Sequence, residues 1–173
     1  SSRWNVNELN VATSNKNLND VGPLPKINPE WEFAIVKSTW NSEITDGLLN
    51  GALSLLTDVG VPSSQIHHLE VPGSFELPLG AQWAIDRFRV DAVICLGSVI
   101  RGETSHFDYV CSAVSAGIKD LNVKHNLPVI FGVLTDDNIE QSRARSGGEH
   151  GNKGTEAAAT AMHMLALREH MKS

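Results

Sequence analysis

Between Gly97 and Val110 the chain reads GSVIRGETSHFDYV, directly after the apolar run DAVICL. Gly102, Glu103, Thr104 and His106 lie within five residues of one another, just ahead of an amphipathic stretch. A strand that runs through such a turn into a helix leaves backbone N–H groups free, and the helix start adds partial positive charge. Gly102 lets successive N–H groups point at one spot, and Thr104 offers both a helix cap and a hydroxyl. The turn therefore suits an anion, with phosphate the natural occupant. His106, in the first helical turn, is placed for proton transfer. The helix start disfavours an imidazolium and a bound phosphate favours one, a coupling that a phosphate-expelling reaction can use. The plainer alternative makes His106 a solvated helix cap.

Three further segments carry residues of the same kind. STWN (38–41) holds Trp40 and Asn41, and VPGSFE (71–76) holds Gly73, Ser74, Phe75 and Glu76. An aromatic face, an amide, a hydroxyl, a carboxylate and an anion nest suit a flat polar heterocycle with a hydroxylated arm. Either ring taken alone fits a core or an interface equally well. RARSGGEHGNKG (143–154) holds Arg145, able to grip a phosphate bidentately, and Lys153, which opens the last helix. That segment meets the Gly102 turn only by folding back or across a subunit boundary.

The elements that must position these residues follow from hydrophobic periodicity. EFAIVKS (32–38), QIHHLEV (65–71), DAVICLGSV (91–99) and PVIFGVL (128–134) read as strands. Between them the helical period runs from Ser42, a candidate cap, through Ile44, Leu48, Ala52, Leu55 and Leu56 to Val59, with Gly60 as terminator. It returns over Pro78–Arg87 and over Ser105–Leu121. Asp137, three residues before Glu140, makes a box-like start to a short helix. A long alanine-rich helix closes the chain from Asn152 to Met171. Strands alternating with helices predict a central four-stranded parallel sheet in a flavodoxin-like three-layer α/β/α fold. Ligands of such sheets gather at the carboxyl ends of the strands, here STWN, VPGSFE, GSVIRGETSH and FGVLTDDN. Residues 1–31, rich in Asn, Ser and Pro, read as an extended or partly disordered arm ahead of a domain at 32–173. Trp4, Val6 and Leu9 are candidate anchors for it.

Composition narrows the partners. At 173 residues the chain makes one domain with a full core, and its 41% hydrophobic and 20% charged residues are those of an ordinary globular protein. A net charge of −6 with no Lys/Arg run argues against nucleic acid and against an anionic membrane surface. No apolar stretch approaches the roughly 18 residues of a membrane span, and nothing reads as a secretory signal. Cys95 and Cys111 both fall at apolar positions, as reduced thiols of a cytosol-like compartment do. Seven histidines show no metal-ligand spacing, and the adjacent His67 and His68 face opposite sides of a strand, so no metal is expected.

Taken together, TWN, VPGSFELP, GSVIRGETSHFDYV, PVIFGVLT, EQSRARSGG and GNKGTEAA resemble the lumazine synthase family, in its order, over about residues 33–165. The resemblance implies a cofactor-independent condensation of 5-amino-6-ribitylaminouracil with 3,4-dihydroxy-2-butanone 4-phosphate. The products are 6,7-dimethyl-8-ribityllumazine and phosphate, the penultimate step of riboflavin biosynthesis. On the matching positions, Trp40 would stack on the pyrimidine with Asn41 beside it. Gly73, Ser74, Phe75 and Glu76 would hold the ribityl chain, through backbone groups and the Glu76 carboxylate. Val99 and Ile100 would meet the uracil edge through their backbones. Gly102, Glu103 and Thr104 with Arg145 would hold the phosphate, though Glu103 stands where many relatives carry a small residue. His106 would transfer protons, Lys153 would lie near the pyrimidine, and Phe131 would cover the site from an adjacent subunit.

The resemblance also implies homo-pentamers, in some members twelve of them closed into a 60-subunit icosahedral shell, and association with riboflavin synthase. The short spacing between Arg145 and Lys153 is that of the shell-forming relatives, but its interior, SGGEH, differs from the commoner GTKA. A cytoplasmic protein is expected, or a plastid one if a transit peptide was removed. Two rival readings are a non-catalytic lumazine or flavin binder, or shell former, on the same fold, and a flavodoxin-like electron carrier. The first keeps His106, Arg145 and Lys153 without using them. The second would need a phosphate loop after the first strand, where STWNSEITD has no glycine before Gly47.

Overall fold

The computed structural model describes residues 17–173, so the proposed anchors Trp4, Val6 and Leu9 lie outside the described residues. Its sheet is built from β1 (Phe33–Ser38), β2 (Ile66–Val71), β3 (Ala92–Ile100) and β4 (Val129–Asp136). All neighbours are parallel, in the order β2-β1-β3-β4. The helices are α1 (Ser42–Asp58), α2 (Leu77–Phe88), α3 (His106–His125), α4 (Ile139–Arg145) and α5 (Lys153–Lys172). All six residues of β1 are buried because both faces of the sheet are covered. Phe33, Ile35, Ile94, Leu96, Ile130 and Leu134 meet the apolar faces of α1 and α5. Ala34, Val36, Val93, Cys95, Val129 and Val133 meet α2 and α3. Burial pushes the Cys95 thiol up to about 12, so it is an unreactive core side chain, and neither cysteine is paired.

Several boundaries differ from those the sequence predicts. The strand pairing of β4 continues to Asp136, and α3 runs on to His125. Asn41, not Ser42, occupies the cap position of α1; it sits in the left-handed region at φ 58° and makes no side-chain cap bond. At α4 the cap is Asn138, whose Oδ1 accepts from Gln141 N at 2.9 Å, while Asp137 N donates to Gln141 Oε1. The box therefore starts one residue later than expected. The segment after α4 is a small antiparallel ribbon of β5 (Ser146–Gly148) and β6 (Gly151–Asn152). Residues 17–31 form no helix or strand. Val21, Leu24 and Ile27 nevertheless pack on the first core, and Trp31 is buried in it with its indole N–H donating to Glu169 at 2.8 Å.

One charge is built into the sheet. Lys37 of β1 is 4% exposed, its ammonium paired with Asp46 of α1 and, at 3.3 Å, with Glu70 of β2. Burial pulls the pKa of this lysine down, but its bonds to the two carboxylates outweigh that and leave it raised. The stabilisation is thus fully present below the ordinary lysine range and fades only as pH rises through the raised value. Both carboxylates are half exposed and rehydrate easily, so Lys37→Met is expected to change stability by no more than about 1 kcal/mol. The double change Asp46→Asn/Glu70→Gln instead strands a buried cation and is expected to cost about 3 kcal/mol. Urea unfolding of the two variants side by side checks the contrast; equal losses would contradict it.

Candidate functional site

The loops after β1, β2 and β3 are sewn into one rim. Thr39 N donates to Val71 O and Trp40 N to Pro72 O, which joins the first two loops. Asn41 Nδ2 reaches across to Ser98 O at 3.2 Å, joining the first to β3. Its amide therefore ties the rim together as well as bordering it. Gly73 has an extended backbone, but a Cβ there would lie 2.6 Å from the Trp40 ring. Glycine at 73 thus seats the indole. Gly97 does the same for the next loop, since a Cβ would meet Ser74 Oγ at 2.5 Å and Leu77 Cδ1 at 2.8 Å.

Each predicted residue of this loop has a definite place. The Ser74 hydroxyl is buried and points into β3, so only its backbone is available to a ligand. Glu76 accepts from Gly73 N at 3.0 Å with Oε2 and makes no other side-chain hydrogen bond among the described residues. Trp40 is 67% and Phe75 61% exposed, which removes the core reading for both rings. Pairing of β3 with β1 stops at Leu96, while β3 continues beside β4 as far as Ile100. Val99 and Ile100 are half-buried on this overhang, where the strand edge toward β1 is open.

From Ile100 the chain enters the turn that leads into α3. Gly102, Glu103, Thr104, Ser105 and His106 are all exposed. Thr104 Oγ1 accepts from His106 N at 3.3 Å, so the expected capping contact is present, although Ser105 holds the cap position and makes no side-chain bond. Gly102 departs from expectation. Its φ is not in the left-handed region, and a Cβ there would meet nothing within 4 Å. The turn itself therefore does not demand glycine; close approach by something outside the chain would. His106 is the first residue of α3, and among the described residues its imidazole makes no hydrogen bond or ion pair.

The remaining three predicted residues lie on β4 and on the two helices that follow it. Phe131 is half-buried on β4 and lines a groove of about 290 Å³ with Ile118, Asn122 and Val123 of α3. Arg145 ends α4, donates to Gln141 O at 3.0 Å and lies 3.9 Å from the buried Asp136. Lys153, first in α5, is held by Glu156 at 2.8 Å. No hydrogen bond or ion pair among the described residues joins this group to the Gly102–His106 turn. Among the described residues no three His, Cys, Asp or Glu side chains are grouped as a metal set.

Sequence reasoning missed Arg101. Its Nε donates to Asp137 at 3.0 Å, its Nη1 is 3.5 Å from Asp108, and its guanidinium lies 4.3 Å from the centre of the Phe107 ring. The bond to Asp137 holds its pKa above even the usual arginine range.

Fold and rim define an α/β protein of flavodoxin-like topology, a class that gathers its ligands at the carboxyl ends of the parallel strands. The sequence profile of the 6,7-dimethyl-8-ribityllumazine synthase family matches residues 30–169, and the chain belongs to that family. A 6,7-dimethyl-8-ribityllumazine synthase of Cytophaga hutchinsonii is 54% identical over 157 residues, covering 90% of this chain and 98% of its own. The enzyme of the same name from Flavobacterium johnsoniae is 54% identical over 161 residues, 92% of this chain and 84% of its own. That of Coxiella burnetii is 45% identical over 142 residues, 82% and 94% of the two chains.

Proposed function

We propose that this chain condenses 5-amino-6-ribitylaminouracil with 3,4-dihydroxy-2-butanone 4-phosphate to give 6,7-dimethyl-8-ribityllumazine, phosphate and two waters. It is then a transferase of riboflavin biosynthesis. The reading is carried by one observation: the exposed Trp40 and Phe75 rings share a rim with an exposed anion turn that ends in His106. Trp40 stacks on the pyrimidine, and the open backbone edge at Val99 and Ile100 meets the uracil. The Gly73–Glu76 loop receives the ribityl chain. Gly102, Glu103 and Thr104 hold the phosphate through backbone N–H groups, so Glu103 need not turn its carboxylate inward.

The substrate amine attacks the ketone, and water leaves as the imine forms. Phosphate is then eliminated, and the second amine closes the ring with loss of the second water. Most of the acceleration comes from holding two reactants in register. His106 moves protons at the reacting carbons and at the departing phosphate.

Phe131, Arg145 and Lys153 complete the site of a neighbouring copy; no hydrogen bond or ion pair among the described residues ties any of them to the Gly102–His106 turn of their own chain. The working form is then an oligomer, which we take to be a homo-pentamer. Leu79, Trp83 and Tyr109 give it exposed apolar surface to bury. We place it in the cytoplasm, as two unpaired apolar cysteines suit a reducing compartment. Among the described residues no helix is long and apolar enough to cross a membrane.

The test is a spectroscopic assay of lumazine appearance and phosphate release from both substrates, with Arg145→Ala in parallel. Formation well above the spontaneous background is expected. The variant should need roughly 10–100-fold more of the phosphate substrate, the cost of a lost charged hydrogen bond. An unchanged dependence on that substrate would remove Arg145 from the site. Background rates with tight pyrimidine binding would make the chain a binder without turnover.

A further inference from the structure

We propose that Arg101 is the positioning residue of the anion turn, bracing it from outside without touching the anion. The inference rests on the turn being the phosphate site. Its starting point is how little else holds that turn. Gly102 to His106 are all exposed, nothing lies within 4 Å of where a Gly102 Cβ would be, and one 3.3 Å bond from His106 N to Thr104 Oγ1 spans its interior. An anion nest works only if its N–H groups stay aimed at one point, so a turn this bare needs a brace.

Arg101 has the geometry of one. Its own N–H donates to Asp136 O at 2.9 Å, which fixes the near end of the turn to β4. Its guanidinium meets the far end, where it lies on the Phe107 ring and 3.5 Å from Asp108, both in the first turn of α3. The same group donates through Nε to Asp137, just ahead of α4. A planar fork with a stackable face can make all three contacts at once, and an ammonium cannot. One side chain thereby ties α3 to the loop ahead of α4, while the backbone of the same residue ties the near end of the turn to β4.

The contacts also say what Arg101 is not. With a carboxylate on each side, its charge is already matched, so it is a poor candidate for gripping the phosphate itself. Remove it, and Asp108 and Asp137 are left uncompensated beside a site meant for an anion. Brace and charge balance therefore make separate predictions.

The experiment uses the assembled enzyme, with circular dichroism and particle size confirming that each variant folds and assembles as the parent does. Arg101→Ala is expected to lower kcat/KM for the phosphate substrate about 10–100-fold, the scale of a displaced binding element, with the KM for the pyrimidine within about twofold of the parent. Arg101→Lys restores the charge without the fork and is expected to stay impaired. So is Arg101→Ala combined with Asp108→Asn and Asp137→Asn, which restores charge balance but not the brace. Recovery in either of these would make Arg101 a charge-balancing residue only and overturn the proposal, as would parent-like kinetics in Arg101→Ala. Inorganic phosphate serves as a direct probe, titrated as a competitor of the phosphate substrate. If it does not compete in the parent enzyme, the phosphate site itself is misplaced and the reading beneath the proposal falls with it. If it competes in the parent and equally well in Arg101→Ala, the brace alone is refuted.

Discussion

His106→Ala is expected to slow turnover by roughly 10²–10⁴-fold, the usual contribution of a positioned acid–base group, with little change in the concentration of either substrate required. The backbone N–H of His106, not its ring, is what bonds Thr104, so truncating the side chain leaves the turn and the start of α3 intact. What is lost is an exposed imidazole with no competing partner among the described residues, at the end of the turn assigned to phosphate. Activity should not vanish. Imine formation between an amine and a ketone proceeds slowly unaided, and holding the two reactants together persists in the variant. Steady-state kinetics with both substrates varied separates the cases. An unchanged kcat would take His106 out of the proton path, and complete loss with intact binding would give it a larger part than general acid–base help.

The largest expected effect on stability comes from Gly154→Ala. A Cβ at Gly154 would run into the Leu48 carbonyl, so α1 and α5 touch backbone to backbone there. Two more glycines of α1 serve the same contact. Gly47 makes room for the Ser146 carbonyl and Gly51 for the Asn152 side chain. Asn152 then uses that space fully, with Oδ1 accepting from Gly154 N at 2.8 Å and Nδ2 donating to Gly47 O at 2.8 Å. A flexible side chain can swing away from an intruding methyl, whereas a helix backbone must move as a unit. Overpacking in cores typically costs 1–3 kcal/mol, and this case should reach about 3 kcal/mol or more. Against a total of about 5–15 kcal/mol, the urea midpoint should fall visibly at matched protein concentration. Lys153 rides on the displaced helix, so turnover should fall too. An unmoved midpoint would mean that the two helices have slack that their contacts do not show.

The sheet was legible because its strands are short apolar runs, and their burial on both faces is what such runs encode. Legibility ended where polarity and position disagree. Thr135 and Asp136 read as loop, yet they pair with Val99 and Ile100 and extend β4. The last turn of α3 carries Val123 and Lys124 toward solvent, so the apolar stripe stops at Leu121 before the helix does. Trp31 follows a proline-rich stretch without period, and only the fold reveals Glu169 as its partner. The rim residues could be read because loops that follow parallel strands collect at one edge. Arg101 could not, as its main partner Asp137 lies on another loop that pairing of β3 with β4 brings alongside. Gly102 was read for the wrong reason, since its own backbone makes no demand for glycine.

The contrast between Trp31 and Trp40 has a spectroscopic consequence. Trp31 sits in apolar surroundings with its N–H fixed to Glu169, while Trp40 lies in water against Gly73. The first is expected to emit at short wavelength and to be indifferent to the rim. The second is expected to emit at long wavelength, together with the exposed Trp83, and a flat ring laid on its indole would quench it. Among the described residues the indoles therefore act as two kinds of internal lamp, one that dims only when the fold is lost and one, Trp40, that dims when the pocket fills.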